Sequence, residues 1–191
     1  MPERFRTIPA GAIKVELPNV VQRRDYTCGP AAMLAVAAYY GVGPEDEDDV
    51  EAAMGIGVDG SDPPHLVAVA RRWGLRVEEH VGMTTAALRA ALDRRRPVVM
   101  MLQAWGWPRP RSYRARWRHG HWVVAIGHDR GGVYLEDPSL HAARGWLSDD
   151  DLDERWHDWG VDRARVHRYG LVVWRPGRVR SAYARRARRL E

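Results

Sequence analysis

The sequence has one cysteine, one lysine and no long apolar run, and each shortage closes off a class of protein. A single thiol, Cys28, makes no internal disulfide and no multi-cysteine zinc site, which excludes a disulfide scaffold. It is then either a small core residue or a reactive group. The longest apolar stretch, Pro97 to Leu102 and a little beyond, is far too short to span a bilayer. Met1 to Pro18 is mixed and polar, unlike a secretory signal, so a cytoplasmic protein without a membrane segment is the expectation. With Lys14 the only lysine, nearly all positive charge is arginine.

What is present fits one globular unit: 191 residues, 45% of them hydrophobic, with nine tryptophans. The formal net charge of +5 is confined to residues 178–191, where Arg178, Arg180, Arg185, Arg186, Arg188 and Arg189 face only Glu191. This divides the chain into a formally neutral domain at 1–177 and an arginine-rich tail at 178–191. Apolar residues between the arginines make the tail a surface helix in preference to a nucleic-acid contact.

Residues 29–40 read as a buried helix, since Ala31 to Ala38 is apolar all round, Pro30 suits a first turn and Gly41 suits a stop. Helices follow at 45–54, 63–73 and 84–95, with a short strand at 75–80. The acids Glu45 to Asp49 suit the positive end of a helix dipole and lack the pattern of a calcium loop. The second half is strand-rich: 97–102, 122–126, 133–135 and 170–174, with a turn at Asp129–Gly132 and a helix at 149–157 capped by Ser148. Helices first and strands second is an α+β arrangement.

Cys28 stands immediately before the buried helix, where the dipole and unpaired backbone N–H groups favour thiolate, the nucleophilic form. Such a nucleophile needs a base, a group that orients the base, and donors for an oxyanion. His121 opens an apolar strand, so a rigid element holds its ring. A hairpin over Gly131–Gly132 returns the chain antiparallel and brings Asp137 near His121. His119 is the rival base, because it shares a strand face with His121. The two together make an incomplete metal site, with no third ligand nearby in sequence. Gln22, six residues before Cys28, carries an amide that can join the Cys28 N–H in an oxyanion hole. His128 falls at the hairpin turn, and His65, His80, His141, His157 and His167 read as surface or partly buried residues.

Gln22, Cys28–Gly29–Pro30, Leu34, Tyr39–Tyr40–Gly41, His121–Trp122–Val123–Val124 and Asp137–Pro138 resemble, in order and spacing, the C39 and C39-like peptidases of the papain superfamily. The likeness runs from about residue 15 to residue 174. It implies a papain-like α+β fold, with a helical half packed on an antiparallel sheet. It also implies a peptide substrate and no metal or organic cofactor. Cys28 is then the nucleophile, His121 the general base and acid, Asp137 the orienting residue and Gln22 the oxyanion donor. Well-known members cut leader peptides after a double glycine and are fused to an ABC transporter. This sequence shows no transmembrane or ATPase segment and no Gly-x-x-x-x-Gly-Lys-[Ser/Thr] loop, so it is more similar to the stand-alone branch. The same residues also serve an acyltransferase or a peptide cyclase, and the fold can persist as a binding module without turnover.

Residues 105–118 interleave Trp105, Trp107, Tyr113 and Trp117 with Arg109, Arg111, Arg114, Arg116 and Arg118. A long connection leading into His121 is expected to border the cleft and to contact substrate, an acidic or aromatic peptide.

Overall fold

The computed structural model describes residues 6–105 and 111–177. Trp107 and the 178–191 tail lie outside the described residues. In chain order the elements are α1 (Cys28–Tyr40), α2 (Glu47–Met54), α3 (Pro63–Arg72), β1 (Arg76–His80), α4 (Thr85–Asp93), β2 (Val98–Gln103), β3 (Gly120–His128), β4 (Gly132–Glu136), β5 (Gly145–Ser148), α5 (Asp149–Arg155), β6 (His157–Trp159), β7 (Arg165–His167) and β8 (Gly170–Trp174). No helix among the described residues is long and apolar enough to cross a membrane.

Because α1 is apolar around its circumference, no side of it suits water, and it is buried on nearly every face. Gly41 ends it in the left-handed conformation at φ 65°, with its N–H turned back to the Ala37 and Ala38 carbonyls. Thr84 caps α4 by accepting from the Ala87 N–H at 3.1 Å, and Ser148 caps α5 by accepting from the Asp151 N–H at 3.0 Å.

Six strands form one antiparallel sheet in the order β1-β8-β2-β3-β4-β5. Alternate residues feed two cores. Val99, Met101, Trp122, Val124 and Leu171 meet α1 and α3, while Val98, Met100, Val123, Ala125 and Val172 meet Leu88 and Leu92 of α4 and Leu152 of α5. Burial on both faces explains why β2 reads as an unbroken apolar run. The fold is the expected α+β layering of helices on an antiparallel sheet, with two refinements. β1, from the helical half, pairs with β8, and α4 covers the face opposite α1. β5, β6 and β7 have no counterpart in the sequence reading, because they are three or four residues long and carry no apolar alternation. His128 closes β3 instead of sitting in the turn, with Nε2 2.9 Å from Asp93.

One irregularity decides what the hairpin can do. The β3–β4 register runs His128↔Val133 and Gly127↔Tyr134, then shifts to Ala125↔Leu135 and Val124↔Glu136, leaving Ile126 as the extra residue. Without that shift Asp137 would fall opposite Val124, on the face away from His121. With it, Asp137 falls opposite Val123, on the same face as His121 and two residues from it. The N-terminal segment holds the bulge: the Lys14 and Val15 N–H groups both donate to the Ile126 carbonyl at 2.9 Å, and the His128 N–H donates to the Ala12 carbonyl at 2.9 Å. Gly127 permits this approach, since a Cβ there would lie 2.2 Å from the Ala12 oxygen. Gly127→Ala is therefore expected to lower the unfolding free energy by about 1–3 kcal/mol, read as a lower urea midpoint. An unchanged midpoint would mean that the segment accommodates a methyl group and does not pin the bulge.

Candidate active site

The chain reaches Cys28 through a turn that is tied down at both ends. The Arg24 carbonyl accepts from the Thr27 N–H at 3.1 Å, the Thr27 hydroxyl at 3.0 Å and the Gln22 side-chain amide at 2.8 Å. Thr27 thus spends its hydroxyl on the turn and does not cap α1. The first N–H groups of the helix keep clear of that cap, and Pro30 brings none of its own. The Arg23 N–H donates to the buried Glu47 carboxylate at 3.0 Å, while Arg23 and Arg24 pair with Asp46, Asp48 and Glu51. The acidic start of α2 therefore clamps the turn before Cys28 as well as complementing its own helix dipole. On the other flank, the loop before α3 presses on the first turn of α1. A Cβ on Gly29 would sit 2.0 Å from the Ser61 hydroxyl, and the Ser61 carbonyl accepts from the Trp122 indole at 2.8 Å.

His121 is almost wholly buried, 1% exposed, and its Nε2–H donates to Asp137 Oδ1 at 2.7 Å. The same oxygen accepts from the Ser139 N–H and the Ser139 hydroxyl, both at 2.8 Å. Burial alone would push the His121 pKa down. The bond to Asp137, the Cys28 thiol on the ring's other side and the negative charge of both outweigh it, and raise the pKa to about 9. Burial likewise opposes ionisation of Asp137, yet the His121 and Ser139 bonds hold its carboxyl below the ordinary value. Nδ1 of His121 is buried without a formed hydrogen bond, poised toward Cys28; such contacts commonly tighten only with substrate bound. Ser139→Ala removes one of three donors to Asp137. It is expected to weaken the fold by about 0.5–1.5 kcal/mol and to raise the Asp137 pKa, which NMR titration of the carboxyl reads.

Gln22 lies beside this group: its N–H donates to the Pro138 carbonyl at 2.9 Å, tying the cysteine's turn to the strand end that carries Asp137. Two clefts flank Cys28 and His121. One, about 390 Å3, is lined by Gln22, Trp105, Pro138 and Ser139; the other, about 350 Å3, by Cys28, His121, Trp117, Trp159, Asp62 and Asp158.

Cys28, His121 and Asp137 thus converge, while Gln22 lies beside them with its side-chain amide on the Arg24 carbonyl. His119, the rival base, does not join them; its N–H donates to the Gln103 side chain at 3.1 Å. Among the described residues no three His, Cys, Asp or Glu side chains are grouped to hold a metal ion. Of the expected substrate contacts, Trp105 lies with its ring 4.5 Å from that of His121, and Trp117 lines the second cleft. Tyr113 is a correction. It is 5% exposed, lies under the Arg155 guanidinium at 3.4 Å and lines neither cleft, because its ring fills the gap beside α5. His157 is likewise buried, bonded to the Arg116 carbonyl at 2.7 Å. Sequence reasoning missed Ser139 and Asp158. The first was legible, since Asp-Pro-Ser favours an Asx turn; the second carries no local signal at all.

The model of the Peptidase_C39 like family matches residues 14–160. No curated protein matches the sequence. Among solved structures, one described as a C39-like peptidase from Bacillus anthracis is 14% identical, with a TM-score of 0.66, covering 87% of this chain and 98% of the other. The peptidase domain of Streptococcus ComA, a bifunctional ABC transporter of a quorum-sensing pathway, is 16% identical at a TM-score of 0.60, with 82% and 96% covered. A double-glycine-motif protease from an AMS/PCAT transporter, in complex with its leader peptide, is 17% identical at a TM-score of 0.57, with 86% and 94% covered.

Proposed function

The chain belongs to the Peptidase_C39 like family, and from that premise we propose that it is a cysteine peptidase whose nucleophile is Cys28. The observation that supports this reading is the His121 ring, held by Asp137 at 2.7 Å on one nitrogen and lining one cleft with the Cys28 thiol that helps raise its pKa. The Cys28 thiolate attacks a peptide carbonyl carbon. The oxyanion accepts from the Cys28 N–H and from the second amide hydrogen of Gln22, whose first is committed to Arg24. His121 gives its Nδ1 proton to the leaving amine, and the C–N bond breaks to leave a thioester on Cys28. His121 then takes a proton from water, the hydroxide attacks the thioester, and the acid is released with the thiolate restored. Asp137 keeps the Nε2–H tautomer throughout and counters the imidazolium charge, without itself taking the proton.

The test is incubation of the full chain with a mixed peptide library in H2(18)O, with products read by mass. New carboxyl termini carrying one heavy oxygen, lost after stoichiometric alkylation of the chain's single thiol, are expected. Products joined to a peptide amine would place the chemistry in acyl transfer, and no product from any peptide would sink the peptidase reading.

A further inference from the structure

The cleft between Cys28 and Trp159 carries an uneven charge. Asp25, Asp59, Asp62 and Asp158 line it, against Arg118 and the His121 imidazolium, which faces the Cys28 thiolate and Asp137. Several acids elsewhere are matched to arginines: Asp46 to Arg23, Asp129 to Arg6, Asp149 to Arg89, Asp153 to Arg114. The four cleft aspartates form no ion pair with arginine or lysine among the described residues. Resting on the reading of Cys28 as a peptidase nucleophile, we propose that this cleft binds a guanidinium or ammonium group of the substrate, beside the bond to be cut. Asp158 and Asp62 would bind it on the Trp117–Trp159 wall.

Asp158 is built in rather than merely exposed. Its Oδ1 accepts from the Gln103 amide at 2.9 Å and the Trp159 N–H at 2.8 Å, and Gln103 is wholly buried. The carboxylate lies flat on Gly120, next to His121, where a Cβ would come within 2.1 Å of Oδ2. Burial pushes the Asp158 pKa up to about 6, with the Asp62 charge adding to the rise, against the bonds from Trp159 and Gln103 and the charge of His121. An opposite charge in the cleft would relieve both burial and repulsion.

The aromatic wall is the second, independent observation. Trp117 and Trp159 stand with ring centroids 5.0 Å apart, and they already take one guanidinium: Arg165 lies 5.1 Å from the first ring and 5.6 Å from the second. Arg165 does not itself line the cleft. Since no three ligands among the described residues converge on a metal, the cation that fits is organic. A space of about 350 Å3 is near the lower end of ligand pockets and suits one side chain. This proposal departs from the acidic peptide expected from the arginines of 105–118, because Arg114 is engaged by Asp153 and only Arg118 of the described arginines in that segment reaches this cleft.

Cys28 is the only thiol, so methanethiosulfonate reagents report on this cleft alone. The thiolate attacks the sulfenyl sulfur, forming a mixed disulfide and releasing methanesulfinate, whatever the reagent's charge. At low salt, 2-(trimethylammonium)ethyl methanethiosulfonate is expected to outpace the 2-sulfonatoethyl reagent by about 10- to 100-fold beyond their ratio with free 2-mercaptoethanol. Asp158→Asn and Asp62→Asn should each cut that preference by about threefold or more. Asp59→Asn, at an exposed loop position, should lower it without moving the urea midpoint. A preference equal to that of the free thiol, or unmoved by all three variants, would overturn the proposal. A second arm compares peptides that differ only by arginine or citrulline beside the cleaved bond. About tenfold higher kcat/KM for arginine is expected, and equal values would also overturn the proposal. Cation-selective disulfide formation with no cleavage of any peptide would refute the peptidase reading while supporting the cation-binding cleft; cleavage without charge selectivity would do the reverse.

Discussion

Cys28→Ala is expected to abolish peptide cleavage, and His121→Ala to lower it by about 10²- to 10⁴-fold, the range over which a positioned general acid–base acts. The two losses have different origins. The first removes the atom that bonds the acyl group. The second leaves the thiol in place, but takes away the cation that stabilises its thiolate and the proton that the leaving amine needs. The discriminating measurement is alkylation of Cys28 by neutral iodoacetamide near pH 7, which requires no acid step. In His121→Ala it should slow by about 100-fold, because the α1 N-terminus alone remains to favour thiolate. Equal rates in wild type and His121→Ala would mean that the imidazole does not activate the thiol.

Asp137→Ala has the next largest expected effect, and its sign follows from the buried position of His121. In the wild type the imidazole keeps its proton up to about 9, because the Asp137 bond and the nearby negative charges outweigh burial. The alkaline limb of the cleavage rate should therefore fall near that value. Without Asp137, burial is opposed by Cys28 alone, so the limb should move down by about one to two pH units, with kcat falling by about 10- to 10³-fold. Stability follows the same logic. The His121 pKa is raised above 6.5, so its contribution is fully present below 6.5 and is lost as pH rises through about 9. The Asp137 pKa is lowered below 3.8, so its contribution is present above 3.8 and is lost as pH falls through the lower folded value. Urea midpoints should decline from pH 6.5 to 9 in the wild type and run flatter in Asp137→Ala. Superimposable profiles would show that the pair is not coupled to folding.

Trp105 bears on both predictions. Its ring lies 4.5 Å from the His121 ring, so it shields from water the pair whose charges these experiments probe. Its neighbour in the expected substrate loop, Tyr113, has instead been taken into the fold by Arg155 and by the Glu154 carboxylate, which accepts its N–H at 3.1 Å. The two aromatics looked alike in sequence. Composition recorded that the segment was aromatic, but which ring faced the site depended on the position of α5.

Much of the site was legible because it is local. A thiol one position before an all-apolar helix, a histidine opening an apolar strand and a Gly-Gly turn each follow from interactions within a few residues. Those same rules predicted α1, β2, β3 and the caps at Thr84 and Ser148, all of which the structure contains. They reached as far as placing Asp137 near His121. They could not fix the face on which it lies, because strand side chains alternate and a shift of one residue reverses every assignment.

That shift was decided at a distance. The bulge at Ile126 exists where the backbone of residues 12–15 crosses Gly127, a contact between segments far apart in the chain. Long-range packing also placed His121, not His119, against Asp137, turned the acids of α2 into a clamp on the turn before Cys28, and brought Asp158 to the loop carrying Asp59 and Asp62 in one cleft. By itself the sequence determined which groups could react, through periodicity, helix ends and turn residues that act over a few positions. The tertiary structure alone decided which of them meet and what charge surrounds them, since register and electrostatic neighbourhood are set by backbone contacts that no local pattern encodes.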